Sequence, residues 1–328
     1  MSTHRVAAVD CGTNSIRLLI ADIDTVAGTL TDLDRRMEIV RLGQDVDRTG
    51  RFAPEALERT FAACRRYAEA LDRHGVGAEA VAAGALRFVA TSASRDVSNR
   101  EEFVTGVREI LGVEPEVITG DEEARLSFAG ATLELAGRDD LPGPALVVDI
   151  GGGSTEFVLG EFGGAVRAGR SVDIGCVRLT ERHLVSDGVP VEPVNAERRE
   201  AVRADILTGL DRAAEVVPLG EANTLIGLAG SVTTVAALAL DLPEYDSTAI
   251  HHARVDRETV RAVTDRLLGS THAERAEKAV IHPGRVDVIG AGALILDTIM
   301  ERVGAREVIA SEHDILDGIA WSVVERLG

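Results

Sequence analysis

The sequence predicts an α/β protein of two similar domains, each a mixed sheet flanked by helices. Three observations carry that expectation. Apolar runs of strand length alternate with amphipathic helical stretches along the whole chain, which is the pattern of α/β architecture with mixed sheets. The 328 residues suit two domains of ordinary size. One short pattern also occurs twice, Asp10-x-Gly12-x-x-Ser15 and Asp149-x-Gly151-x-x-Ser154, 139 positions apart in a single register. Each copy follows a short apolar strand (Val6 to Val9, Leu146 to Val148) and runs into another (Ile16 to Ile20, Phe157 to Leu159). A repeat at that distance points to duplication of a domain-sized unit, with the two glycine hairpins on the walls of one cleft.

The remaining elements follow in order. Arg35 to Leu42 reads as a third, edge-like strand. Pro54 to Arg73 is an amphipathic helix, with Leu57, Phe61, Cys64 and Leu71 near helical spacing and proline at its start. Val81 to Ala90 reads as a strand, and Ser98 or Asn99 caps a helix running through Ile110. Glu116 to Ile118 is a short strand, and TGDEEARLSFAGATLEL opens another helix. Leu141-Pro-Gly-Pro144 links into the second glycine hairpin, whose strands continue to about Ile174 before GCVRLTERHL starts a helix. Residues 185–195 are loop-like. A helix over 196–214, a strand over 224–229 and a glycine turn into a helix at LAGSVTTVAALAL come next. Strand Glu307 to Ala310 and an amphipathic helix to Leu327 close the pattern.

Composition narrows the function. Hydrophobic residues make up 45% with mean hydropathy +0.08, yet no apolar run reaches membrane-spanning length. The N-terminus enters a strand directly, without signal-peptide architecture. Cys11, Cys64 and Cys176 show no CxxC pairing and read as small buried hydrophobes in a reducing compartment. The eight histidines form no HExxH, which argues against a zinc hydrolase. A net charge of −19 argues against a nucleic-acid-binding face. Lys278 is the only lysine, so a local phosphate site would be built with arginine.

In ALVVDIGGGSTEFVLGE, residues 145–161, a strand leaves through Asp149, three glycines, Ser154, Thr155 and Glu156 and returns at once to apolar residues. Three glycines fit a plain tight turn or a backbone that something must approach closely. Carboxylates beside open N–H groups fit a metal-bound phosphate, since backbone nests take anions and a cation removes the conflict with the acids. Asp121, Glu122 and Glu123 suit a helix N-terminus; crowded together, they would also raise a pKa toward a base's useful range. Arg17 alternates in the strand after the first hairpin and faces either the cleft or solvent.

Seven segments occur in order over essentially the whole chain: DCGTNSIRLLI, ATSASRDVSN, TGDEEARLSFAG, DIGGGSTEF, GCVRLTERHL, LAGSVTTVAAL and HPGRVDVIGAGALIL. The set resembles the exopolyphosphatase / guanosine pentaphosphate phosphohydrolase (Ppx/GppA) family, within the actin, sugar-kinase and Hsp70 (ASKHA, RNase H-like) superfamily, and most of all its short actinobacterial members. The resemblance implies two actin-like domains with an interdomain cleft, residues 1–122 and 123–304, a tail of about 305–328 folding back on the first, and no additional C-terminal helical domain. It implies a cytoplasmic homodimer that hydrolyses a terminal phosphoanhydride with Mg²⁺ or Mn²⁺, binding neither nucleic acid nor membrane.

The resemblance also implies roles. Glu122 would be the base for the attacking water, with Glu123 as the one-position alternative. Asp149 and Glu156 would hold the metal, Glu156 also counting as catalytic, and Asp10 would be a further carboxylate on the metal side. Gly12, Thr13, Asn14 and Ser15 would form one phosphate cradle and Gly151, Gly152, Gly153 and Ser154 the other. Arg95 would reach the phosphates, supported by Ser92 and Asn99, with Arg17, Arg178, Arg285 and Ser231 as lesser candidates. Members of the family often carry an arginine where Leu316 stands, so a ligand contact there is not expected. The expected substrate is inorganic polyphosphate or guanosine pentaphosphate. An ATP-dependent kinase of the superfamily and a non-catalytic polyphosphate-binding regulator are the alternatives.

Overall fold

In the computed structural model, residues 3–327 are described except Asn14, Asp45, Ser92, Ala93, Arg95, Asp96, Gly164, Asp187 and Gly188, together with the side chains of Asp47 and Arg48. The chain divides into two compact units, Met1–Glu134 with Asp314–Gly328, and Leu135–His313.

The first unit is built on five strands: β1 (Thr3–Cys11), β2 (Ser15–Asp24), β3 (Thr29–Ile39), β4 (Leu86–Ala90) and β5 (Glu116–Val117), in the order β3-β2-β1-β4-β5. The first three are antiparallel and the last two parallel to β1. Strand alternation gives the sheet two apolar faces. Ala7, Val9, Ile16 and Leu18 pack with helices Pro54–Arg73 and Arg100–Leu111. Val6, Ala8, Leu19 and Val89 pack with Leu126 of helix Gly120–Thr132 and with Leu316, Ile319 and Val323 of helix Ile315–Leu327. Those two helices touch backbone to backbone. A Cβ on Gly130 would lie 1.8 Å from the Asp314 carbonyl oxygen, and one on Gly318 would lie 1.9 Å from that of Leu126.

The second unit repeats the plan. Its strands are β6 (Ala145–Ile150), β7 (Thr155–Gly160), β8 (Val166–Val172), a small hairpin of β9 (Val185–Ser186) and β10 (Val189–Pro190), then β11 (Thr224–Leu228), β12 (Arg254–Asp256) and β13 (Glu307–Ala310). The sheet order is β12-β13-β11-β6-β7-β8. Three antiparallel strands followed by two parallel ones, as in the first unit, are what duplication predicts.

Three expectations need correction. The border at 122/123 would cut helix Gly120–Thr132, which is continuous and belongs whole to the first unit through its contact with helix Ile315–Leu327. The tail does not begin at 305, because Glu307–Ala310 pairs with β11 and completes the second sheet. Val81 to Ala90 is not one strand: Ala78–Ala82 is helical, Gly84 turns at φ +90°, and the strand begins at Leu86. Among the described residues, no helix is long and apolar enough to cross a membrane.

Candidate functional site

Each unit presents a glycine hairpin closed by the same hydrogen bond. Gly12 N–H donates to Ser15 O at 2.9 Å, and Gly151 N–H donates to Ser154 O at 3.0 Å. The turns sit at the ends of β1 and β6, where the ladders finish at Cys11↔Ile16 and Ile150↔Thr155.

In the second unit the hairpin's carbonyls are drawn inward. Gly151 O accepts from Cys176 N–H at 2.9 Å, Gly152 O from Val177 and Arg178 N–H at 2.9 and 3.1 Å, and Gly153 O from Arg178 Nε at 2.7 Å. Among the described residues, no acceptor takes the N–H groups of Gly152 and Gly153. The approach depends on Gly175, where a Cβ would stand 2.2–2.4 Å from Gly152 and Gly153 backbone atoms. The hairpin therefore offers donors, the polarity of an anion nest. Asp149 and Glu156 face each other across the β6–β7 ladder, both half-buried. Like charges directly opposite repel. Glu156 Oε1 is held by the hydroxyls of Ser154 and Ser171, both at 2.6 Å. A divalent cation fits this pair, because it would bind hard carboxylate oxygens and remove their repulsion. Arg178 is thus brought to the hairpin. At the start of helix Ala229–Ala239 the Arg285 guanidinium lies against the Gly230 backbone, and the next residue, Ser231, is buried against Gly292.

In the first unit Asp10 faces Arg17 across the β1–β2 ladder. Arg17 donates to Asp10 Oδ2 at 2.7 and 3.0 Å and to Asp314, with its side chain still 26% exposed. Asp10 is buried, and among the described residues its Oδ1 has no hydrogen-bond partner. Burial pushes the Asp10 carboxyl up, against the pull of Arg17. For Asp314 burial acts in the same direction, but Arg17, the Leu316 N–H and Arg35 outweigh it and hold the group below its ordinary value. Leu316 is buried in the apolar face of the sheet. Asn14 and Arg95 lie outside the described residues. Thr13 accepts from Gly43 N–H at 2.8 Å through its carbonyl.

Glu122 overturns its electrostatic expectation. Its neighbours in sequence are acidic, but its carboxylate is clamped by Arg125 at 2.9 and 3.0 Å and approached by Arg87 at 3.2 Å. Arg125, with Arg87 behind it, holds the carboxyl down at about 2. Thr119 Oγ1 caps the helix by accepting the Glu122 N–H at 3.2 Å. Buried Arg87 also reaches Glu116 at 2.8 Å and Ser322 of helix Ile315–Leu327 at 2.7 Å. Glu123 lies one place further along the same helix, its N–H bonded to Thr119 O. Asn99 stands at the N-cap of its helix as expected, but its side chain makes no capping bond and instead bonds both backbone groups of Phe52.

The residues missed from sequence are Arg87, Arg125, Ser171, Asp314 and Asp317. Arg125 was within reach of inspection, three places after Glu122 on a helix. Nothing near Arg17 in sequence signals Asp314.

A model of the Ppx/GppA phosphatase family matches residues 19–327. Exopolyphosphatase 2 of Mycobacterium tuberculosis is 49% identical over 334 residues, covering 98% of this chain and 99% of that protein. A solved exopolyphosphatase-like protein is 45% identical with a TM-score of 0.81, covering 99% of this chain and 100% of the other. The Aquifex aeolicus member of the Ppx/GppA family is 29% identical with a TM-score of 0.82, covering 99% of each chain.

Proposed function

Because the chain belongs to the Ppx/GppA phosphatase family, we propose that it hydrolyses the terminal phosphate of inorganic polyphosphate, the activity named in its relative Exopolyphosphatase 2. The two similarly ordered sheets are those of the two-domain actin-like fold. The observation that carries the proposal is the second hairpin, where carbonyls are withdrawn and the N–H groups of Gly152 and Gly153 stay open beside an acid pair. Phosphoryl transfer asks mainly for positioning and charge neutralisation, and this hairpin has the chemistry for both.

In this reading Gly152 and Gly153 donate to phosphate oxygens, and Ser154 and Ser171 orient Glu156. Asp149 and Glu156 would hold Mg²⁺ or Mn²⁺, which when bound supplies neutralisation of phosphate charge. Glu122 is the proposed acceptor of the water proton. Its clamp keeps it ionised but weakly basic, so its full basicity requires Arg125 to let go. Arg125 is 48% exposed, and a pair so open to water is weakly held.

The test is phosphate release from polyphosphate, guanosine pentaphosphate and ATP, each with and without Mg²⁺. Polyphosphate is expected to be cleaved fastest, and only with the cation. Faster release from guanosine pentaphosphate would reassign the substrate. No release from any of the three would overturn the enzymatic reading.

A further inference from the structure

The Asp10–Arg17–Asp314 group lies wholly within the first unit. Arg17 directs two N–H groups at one atom, Asp10 Oδ2, and leaves Oδ1 buried without a hydrogen-bond partner among the described residues. Its third contact goes to Asp314 Oδ2. Asp314 is itself held in place. Its Oδ1 accepts the Leu316 N–H at 2.9 Å, and its own N–H donates to Asp317 Oδ2 at 2.8 Å. Asp317 is fully buried and paired with Arg35. The close helix crossing at Gly130 and Gly318 brings the Asp314 backbone into the fold at this point.

Charge decides what the group is suited for. Asp10 and Arg17 alone make a neutral pair, whose bare oxygen would have little pull on a cation. Asp314 adds a second carboxylate against the one guanidinium, so the group carries a formal charge of −1. Capping helix Ile315–Leu327 through the Leu316 N–H asks only for an acceptor, and the added charge brings a desolvation penalty of its own. The bare Oδ1 adds another, since a buried acceptor left unsatisfied is itself destabilising. Both features suit a carboxylate kept ready for a cation.

We propose that Asp314 and Arg17 are positioning residues for Asp10: Arg17 occupies one carboxylate oxygen, and Asp314 cancels the Arg17 charge so that the other oxygen attracts a divalent cation. The proposal rests on the reading above only in taking Asp10 as a cation-side group.

The experiment is a double-mutant cycle on the full chain, read by Mn²⁺ binding in solution without substrate. Asp314→Asn keeps an acceptor for the Leu316 N–H but removes the charge. It is expected to weaken Mn²⁺ binding about tenfold in the wild-type background and to have no effect in an Asp10→Asn background. Asp314→Glu restores the charge and is expected to restore binding to within about twofold. If Asp314→Asn does not fold, Asp314→Ser carries the same test. Unchanged Mn²⁺ binding with a lowered melting temperature would overturn the proposal and leave a structural buttress. Equal weakening in both backgrounds would overturn it too. A wild-type protein that binds Mn²⁺ but releases no phosphate from polyphosphate would sink the functional reading and leave this proposal standing.

Discussion

The two hairpins share a register and differ in one cross-strand partner. Asp10 faces Arg17, while Asp149 faces Glu156 at the equivalent place in the ladder. The first copy sets its aspartate against an arginine that binds it. The second sets two acids against each other and holds one of them with serine hydroxyls. Identical backbone closure thus carries different cross-strand pairs, an acid with a base in the first hairpin and an acid with an acid in the second. The frame is the same in both copies, and the residue opposite the aspartate sets the charge of each cross-strand pair.

The largest expected effect comes from giving the second hairpin the partner of the first. Glu156→Arg makes the Asp149 pair neutral and should cut polyphosphate turnover by about a thousandfold, while thermal melting stays at or above wild type because a like-charge pair is gone. Melting that falls by many degrees with turnover intact would mean the pair is structural. The reverse manipulation acts on stability. Arg17→Ala strands buried Asp10 and half-buried Asp314 and should cost about 3 kcal/mol in urea unfolding; a loss below about 1 kcal/mol would show that the pair is not needed to hold the unit together.

A third change tests the base, which neither hairpin provides. Glu122→Gln should lower turnover about a hundredfold with little change in KM. If Glu123→Gln does so instead, the base is the neighbouring residue. The smallest effect concerns the clamp on Glu122. A carboxyl at about 2 in the folded protein and 4.5 in the reference state lends stability that is fully present above about pH 4.5 and is lost as pH falls toward 2. Arg125→Gln should flatten the acid side of the stability profile and move the acid limb of the activity profile upward. An unmoved acid limb would separate Glu122 from the proton transfer.

Local signals were legible and distant ones were not. Helices Pro54–Arg73 and Ala196–Ala214 lie where periodicity and proline placed them, because each buries one continuous stripe. Strand Glu307–Ala310 was also found, but its partner β11 could not be read from its own residues. Both hairpins were visible because their residues are adjacent in sequence. Glu122 was placed on a helix start correctly, yet its charge environment was misread. Residues adjacent in a helix do not share a face, and its actual partners are an arginine one turn on and another from β4. Arg17 had no readable partner, since Asp314 stands 297 positions away.

The crossing of Gly130 on Gly318 has a consequence for how the protein is made. Helix Ile315–Leu327 is translated after the whole of Leu135–His313, yet it covers one apolar face of the N-terminal sheet. A nascent chain therefore has a contiguous second unit able to fold as it emerges, while Val6, Ala8, Leu19 and Val89 have only helix Gly120–Thr132 to cover them. Long-range closure of this kind is slow, and it leaves sticky surface open to other chains. A fragment of residues 1–134 should accordingly aggregate alone and recover when a peptide of residues 314–327 is supplied, whereas residues 135–313 should fold unaided.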